Sequence, residues 1–116
     1  MLVRDIKDIL KADVLCGEEK MDTEVRTACG ADMMSDVLAF VKEQSVLLTG
    51  LVNPQVVRTA EMMDMHCIVF VRGKEPDTSI LDLAVERGII LMKTPYRMFT
   101  ACGLLYDNGL RGGCDI

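Results

Sequence analysis

Aromatic residues and clusters of basic residues are scarce in this chain of 116 residues. Aromatic side chains make up only 4% of it, and 13 basic residues against 18 acidic ones give a formal net charge of −5. Proteins that hold a nucleic-acid backbone need a basic stripe, and those that hold single strands also need rings on which bases stack. We therefore predict no nucleic-acid partner, although a local positive charge can still hold a small anion.

Long hydrophobic runs are missing as well. Apolar runs such as IILM at residues 89–92 fall far below the roughly 20 residues that a membrane-spanning helix needs. The first ten residues, MLVRDIKDIL, carry charges and lack the uninterrupted apolar segment of a signal peptide. These absences predict a cytoplasmic protein without a membrane partner, and the length suits a single domain over residues 1–116.

Paired metal-binding motifs are also absent. The cysteines show no Cys-x-x-Cys spacing, and their odd number leaves at least one unpaired in any disulfide scheme. A zinc site needs several ligands, and His66 is the only histidine. We predict no metal, no cofactor, and reduced thiols that are mostly buried. The cysteines are Cys16, Cys29, Cys67, Cys102 and, in a predicted flexible tail over residues 111–116, Cys114.

The first 44 residues contain the apolar patterns of two helices and two strands. We predict a helix in LVRDIKDILK, a short strand in ADVLCG, a strand in EVRTACG and a helix in DMMSDVLAFVK. Asp32 is the predicted N-cap of the second helix. The predicted apolar stripe of that helix consists of Met33, Met34, Val37, Leu38 and Val41.

Residues 45–110 repeat a strand and a helix three times, with a period of about 21 to 23 residues. The predicted strands are SVLLTG, CIVFVRG and IILMKT, and the helices that follow them are NPQVVRTAEMMD, PDTSILDLAVERG and PYRMFTACGLLYDNG. Strands that are apolar almost throughout and alternate with helices are typical of parallel strands buried on both faces. We therefore predict a three-layer α/β/α fold with a mainly parallel sheet.

Helix-boundary residues support these three units. The predicted N-caps are Asn53, Asp77 or Thr78, and Thr94. The residues that fit first helical positions are Pro54 and Pro95, and those that suit helix ends are Gly88 and Gly109.

The loops after the three strands form the predicted ligand site, because the carboxyl ends of parallel strands meet at one edge of the sheet. Glycine permits close backbone approach, a helix N-terminus offers free amides, and Arg72 or Lys93 can supply positive charge. This chemistry suits a small anion, but glycines in strand–turn–helix connections also serve geometry alone. The residues of the predicted site are Thr49, Gly50, Asn53, Arg72, Gly73, Lys93 and Thr94.

Three neighbouring methionines suggest a protein–protein contact. Met62, Met63 and Met65 together exceed what one helical face can bury, although any single methionine also suits a core. We predict that some of them line an interface in a homodimer, since a two-fold contact is the commonest way to hide such a surface.

The arrangement of these segments resembles the DRTGG domain family. The resemblance rests on VRDIKDILKADVLCG before DMMSDVL, on VLLTGLVNPQVV, and on CIVFVRGKEPDTSILDLAVERGIILMKTPYRMFTACGLL, so it covers most of the chain. Residues 50–52, Gly-Leu-Val, replace the family's Gly-Asp-Arg, and residues 71–73, Val-Arg-Gly, replace its Thr-Gly-Gly. The positions that match the family pattern are Pro76, Pro95, Phe99 and Ala101.

The resemblance implies a fold similar to the N-terminal domain of HPr kinase and a regulatory role without a reaction of its own. Such domains accompany some phosphotransacetylases and CBS-domain proteins, and they pair with copies of themselves. Our hypothesis is a non-enzymatic, homodimeric module that senses a small anionic metabolite or nucleotide and modulates a metabolic partner enzyme. The alternative is an accessory subunit or small enzyme that acts with a kinase or a phosphotransacetylase-type partner.

Overall fold

The computed structural model describes residues 1–40 and 44–113 of the chain. Two residues discussed above, Val41 and Cys114, lie outside the described residues, as do positions 115 and 116 of the predicted tail. The helices are α1 (Val3–Leu10), α2 (Met34–Phe40), α3 (Pro54–Met62), α4 (Thr78–Arg87) and α5 (Met98–Asp107). The strands are β1 (Asp13–Cys16), β2 (Thr27–Gly30), β3 (Ser45–Thr49), β4 (Cys67–Phe70) and β5 (Ile90–Lys93), and a short 3-10 helix spans Glu18–Lys20.

The five strands form one sheet in the order β1-β5-β4-β3-β2. Strands β2 to β5 are parallel to one another, and only β1 runs antiparallel, beside β5. The predicted mainly parallel sheet is therefore confirmed. Because β2 to β5 point the same way, the loops that follow them lie along one edge.

Side chains of the central strands alternate between two hydrophobic cores, one on each face of the sheet. In β4, Cys67 and Val69 face the core under α1 and α5, whereas Ile68 and Phe70 face the core under α2, α3 and α4. All four are fully buried, which explains why the strand is apolar at every position. The helices thus cover both faces, and the predicted three-layer arrangement is confirmed.

Amphipathic spacing places the helices on these cores. In α1, Val3, Ile6 and Leu10 lie on one face and have no exposed surface. In α2, Met34 and Val37 are buried, but Leu38 is 42% exposed, and Met33, just before the helix, is 63% exposed. The predicted stripe of α2 was therefore too wide, because only Met34 and Val37 of it reach the core that α2 shares with α3.

Several predicted helix boundaries are confirmed. Pro54 is the first residue of α3, and Asn53 stands at its N-cap position, although the predicted capping hydrogen bond of the Asn53 side chain is not formed. Asp77 caps α4 by accepting a hydrogen bond from the amide of Ile80 at 3.1 Å. Gly88 ends α4 in a left-handed conformation with φ +71°, which a glycine adopts without strain.

Three boundary predictions are wrong. The helix α5 begins at Met98, so Thr94 is not its cap and Pro95 is not its first residue. The hydroxyl of Thr94 instead donates to the carbonyl of Leu10 at 2.7 Å, and this tertiary bond holds the chain away from helical geometry. Asp32 does not cap α2 either, because α2 begins at Met34 and the Asp32 carboxylate accepts hydrogen bonds from the loop after β3.

Candidate anion-binding site

The loops after β2, β3, β4 and β5 meet at the carboxyl edge of the sheet. Parallel register aligns Thr49 at the end of β3 with Phe70 at the end of β4, and Phe70 with Lys93 at the end of β5. Open parallel sheets bind ligands at this edge in general, because helix N-termini and loop side chains converge there. The seven predicted site residues therefore belong to neighbouring loops, but they differ in how their polar groups are used.

A tight turn follows β4. The amide of Lys74 donates to the carbonyl of Val71 at 3.3 Å, and the two residues between them, Arg72 and Gly73, have φ of +60° and +66°. Positive φ at both central positions is typical of a type I′ turn, which glycine adopts freely and arginine does not. A Cβ at Gly73 would have no atom within 4 Å, so Gly73 provides conformation and not close approach.

The left-handed conformation of Arg72 directs its side chain across Gly50 in the preceding loop. The Nη2 atom of Arg72 lies 2.7 Å from the place that a Cβ of residue 50 would occupy. Glycine at position 50 therefore allows the guanidinium of Arg72 to lie close to the backbone, since any side chain there would displace it. Within the described part of the chain, the guanidinium of Arg72 has no hydrogen bond or ion pair, and the residue is exposed.

Lys74 is a second cation at this loop, which the sequence analysis missed. Its Nζ donates a hydrogen bond to the carbonyl oxygen of Gly50 at 2.9 Å. The residue itself is exposed, and this bond uses only one of the three hydrogens of its ammonium group. Arg72 and Lys74 thus both reach the loop after β3, and the signal that could have found Lys74 is the RGK sequence of the turn.

The polar groups at the end of β3 are already engaged. The carboxylate oxygen Oδ1 of Asp32 accepts hydrogen bonds from the amide of Gly50 at 2.7 Å and from the hydroxyl of Thr49 at 3.2 Å. The same hydroxyl oxygen accepts from the amide of Leu51 at 3.1 Å. The Gly50 amide is therefore already bonded to Asp32 and is not free to bind an anion. Thr49 has no exposed surface.

Asn53 has an unusual environment for an N-cap residue. Its side chain makes no capping hydrogen bond, and its buried Oδ1 has no hydrogen-bond partner among the described residues. Pro54, the next residue, has no amide hydrogen to offer. A buried amide oxygen without a partner costs about 1 to 3 kcal/mol, and such atoms in folded proteins mark water, ligand or functional sites.

Lys93 and Thr94, at the end of β5, use their polar groups in contacts within the protein. Lys93 pairs with Glu75, and donating to this carboxylate raises the pKa of the Lys93 ammonium. Thr94 is fully buried; beyond its bond to Leu10, its carbonyl accepts from the amide of Gly73 at 2.7 Å. Thr94 is therefore a structural residue of the turn and does not present its hydroxyl to a ligand.

Among the described residues, Arg72 and Lys74 bring positive groups to Gly50 at this edge. A comparison with protein families matches the DRTGG domain over residues 5–107. The chain belongs to the DRTGG domain family. The family membership expected from the sequence is thereby confirmed, and a search of the curated proteins found no match.

The DRTGG fold also occurs in a solved structure of a larger protein. This is the crystal structure of the CBS and DRTGG domains of the regulatory region of Clostridium perfringens pyrophosphatase, complexed with its activator, diadenosine tetraphosphate. The TM-score is 0.73 at 22% sequence identity, and the match covers 90% of this chain. It covers 45% of that chain, so this DRTGG domain spans less than half of the protein it resembles.

The predicted methionine interface of the DRTGG domain needs correction at one residue. Met62 is 72% exposed at the end of α3, and Met63 is half-buried. Met65 is only 1% exposed and packs in the core under α2, α3 and α4, so it lies on no surface. Its position just before β4 explains this burial, since the chain there turns back into the sheet.

Cysteines and helices of the described residues add two facts about the DRTGG domain. The thiols of Cys16, Cys29, Cys67 and Cys102 are free, and Cys67 is fully buried. In residues 1–40 and 44–113, no helix combines the length and the apolar character that crossing a membrane requires.

Proposed function

We propose that this DRTGG domain is a non-enzymatic regulatory module, active as a homodimer, that binds a small anionic metabolite or nucleotide through Arg72 and Lys74. Binding at this edge would modulate a partner enzyme. The observation that carries the proposal is the backbone of Arg72. A left-handed conformation at a residue with a Cβ costs about 1 to 2 kcal/mol, and here it holds an unpaired guanidinium over Gly50.

The two cations have complementary chemistry. The guanidinium of Arg72 is a planar fork that matches two oxygens of a phosphate or carboxylate, and the ammonium of Lys74 is a compact point charge. Most backbone amides in these loops already donate within the protein, including those of Gly50, Arg72 and Gly73. The site therefore suits recognition by side-chain charge rather than by a nest of amides.

The solved DRTGG neighbour supports a nucleotide or another phosphorylated compound as the ligand class. Its regulatory region was crystallised with diadenosine tetraphosphate, which is an activator of that pyrophosphatase and a strongly anionic dinucleotide. For the chain described here, a ligand that bridges the loops after β3 and β4 would tie Gly50, Asn53 and Arg72 together. Such bridging is a physical route from binding to an altered surface for a partner enzyme.

The test is a binding titration of the 116-residue chain with diadenosine tetraphosphate, ATP, acetyl phosphate and pyrophosphate, with uncharged adenosine as the neutral comparison. At least one anion should bind and raise the melting temperature, since a ligand at about 100 times its dissociation constant adds roughly 2.7 kcal/mol. Arg72→Ala and Lys74→Ala should each weaken binding about tenfold or more, as expected for charge-assisted contacts.

The matched control is Arg58→Ala. Arg58 is exposed on α3, and its substitution removes the same charge as Arg72→Ala does. Arg58 has no contact with Gly50 among those described. It should bind the anion as the wild type does. If no anion binds, or if Arg58→Ala weakens binding as much as Arg72→Ala, the proposed site is wrong.

A further inference from the structure

The outer face of α5 is an apolar surface that the described part of the chain leaves largely exposed. Phe99 is 90% exposed and Tyr106 is 59% exposed. Gly103 lies between them, and a Cβ added there would meet no atom within 4 Å. Positions 99, 103 and 106 follow the i, i+4, i+7 spacing of one helical face, while Ala101 and Leu105 on the opposite side are buried against the sheet.

The charges at the two ends of α5 oppose the helix dipole. Arg97, the N-cap residue, brings a cation to the positive end, and Asp107, the last residue, brings an anion to the negative end. Each placement is unfavourable within a single helix by a few tenths of a kcal/mol or more. Both residues are exposed, and within the described residues neither side chain has a hydrogen bond or an ion pair.

We propose that two copies of the chain pack α5 against α5 in antiparallel orientation, around a two-fold axis near Gly103. This inference rests on the homodimer of the proposed function and names its interface. In that arrangement Arg97 of each copy faces the end of α5 that carries Asp107 in the other. Both charges that are misplaced within one helix then meet a charge and a dipole end of opposite sign.

The spacing of the apolar residues fits the same two-fold axis. Phe99 and Tyr106 lie at nearly equal distances on either side of Gly103, so each Phe99 meets the region of Tyr106 in the other copy. Gly103 at the centre lets the two backbones approach closely, which a larger side chain would prevent. The guanidinium of Arg111 lies 3.7 Å from the centre of the Tyr106 ring and covers one of its faces, which holds that ring in place.

The size of α5 sets the expected affinity. A helix of 10 residues is about 15 Å long, so its face alone is smaller than the roughly 800 Å² per partner of a standard interface. We expect a dimer that dissociates in the micromolar range. The particle mass should rise with concentration towards about 26 kDa, twice the 12.9 kDa of one chain.

The first experiment is sedimentation equilibrium of the wild type, Phe99→Lys and Met62→Lys. Phe99→Lys should raise the dissociation constant at least tenfold, because it places a charge within a desolvated contact. Met62→Lys adds the same charge on α3, on the other face of the sheet, at a residue that is 72% exposed and belongs to the methionine interface predicted from the sequence. If the copies pair through α5, this variant should leave the dimer intact. Loss of the dimer in Met62→Lys but not in Phe99→Lys would assign the interface to α3 and overturn the proposal.

Charge reversal gives a sharper test of orientation. Arg97→Asp and Asp107→Arg should each weaken the dimer severalfold, because like charges then face each other twice across the axis. The double variant should restore most of the wild-type affinity. A monomeric wild type at about 100 micromolar, or a double variant weaker than both single ones, would overturn the α5 pairing.

These experiments test the proposed dimer interface and the proposed anion site independently. Arg72→Ala should lose anion binding but keep the wild-type dissociation constant of the dimer, since Arg72 lies in the turn after β4 and not on α5. A monomeric wild type that still binds the anion would overturn the α5 interface alone. A dimeric wild type without any anion binding would overturn the site alone.

Discussion

The carboxylate of Asp32 accepts a hydrogen bond of 2.7 Å from the backbone amide of Gly50, in the loop after β3. The guanidinium of Arg72 extends to the same loop. Asp32 Oδ1 lies 3.5 Å and Arg72 Nη2 lies 2.7 Å from the position that a Cβ on Gly50 would take. An acid of the chain itself thus lies at the proposed anion site. The protein keeps a negative charge beside its free guanidinium without forming an ion pair with it.

Asp32→Asn should strengthen anion binding. The amide oxygen can still accept from the Gly50 amide, but the negative charge that repels an incoming anion is gone, and a change of about three- to tenfold is expected at a hydrated site. Isothermal titration at low and high salt measures this effect, which should shrink with salt. Asp36→Asn on the exposed face of α2 is the control and should change little; an equal gain there would indicate a general charge effect.

Gly50→Ala should abolish anion binding at a small cost in stability. A Cβ at this position meets the end of a flexible side chain, Arg72, and the guanidinium moves aside. Urea denaturation should show a change below about 1 kcal/mol, as for other substitutions that displace only an exposed group.

Gly17→Ala is the contrasting variant. Gly17 has φ +84°, and a Cβ there would lie 2.9 to 3.0 Å from the side chain and backbone of Ile90 in the central sheet. We expect a loss of about 2 kcal/mol or more from strain and overpacking, with anion binding preserved in the folded fraction. Equal losses of stability in Gly50→Ala and Gly17→Ala would contradict the geometry described for Gly50.

Arg72→Gly should be more stable than Arg72→Ala, and both variants should lose anion binding. Glycine accepts φ +60° freely, so the free energy of unfolding should rise by about 1 kcal/mol relative to Arg72→Ala, which keeps the strained Cβ. Chemical denaturation of the two variants measures the difference. If Arg72→Gly proves less stable than Arg72→Ala, the left-handed backbone of this residue is not strained.

Stability should fall at alkaline pH because of Cys67. Burial raises the pKa of the Cys67 thiol from 9.0 to about 12, whereas the thiol titrates normally once the chain unfolds. The stabilisation is fully present below about pH 9 and is lost as pH rises towards 12, because the unfolded state then releases a proton that the folded state retains. Melting curves between pH 8 and about pH 11 measure this loss.

Cys67→Ala is the control for the alkaline transition. This variant lacks the buried thiol and should lose less stability over the same pH range, although its starting stability is lower because of the cavity. Partly buried Cys16, Cys29 and Cys102 also have raised pKa values, mainly from burial, so a smaller dependence should remain. An identical pH dependence in Cys67→Ala would show that Cys67 contributes nothing to it.

Much of the architecture could be predicted from local patterns. Strands such as CIVF are apolar at every position because both of their faces are covered. A run of consecutive apolar residues therefore shows this burial in the sequence. Asp77 and Gly88 mark the ends of α4 because capping and left-handed termination are interactions within a few residues. The order of strands and helices follows from the same short-range information.

The site was predicted less well, because its polar groups are satisfied by distant partners. Asp32 was assigned to the nearest helix, but its hydrogen-bond partner Gly50 is 18 residues away. Thr94 was assigned to the start of α5, but its hydroxyl binds Leu10, 84 residues earlier. Lys74 was overlooked, since only the turn at Arg72 and Gly73 brings its side chain to Gly50.

The sequence by itself determined the layered fold and the edge of the sheet at which a ligand would bind, since both depend on hydrophobic periodicity and on the direction of parallel strands. Only the tertiary structure decided which charges at that edge are free. The backbone of Arg72 and the long-range bonds of Asp32 and Thr94 are set by packing between separate segments. Hydrogen bonds and strain of this kind depend on distances in space, which no spacing along the chain specifies.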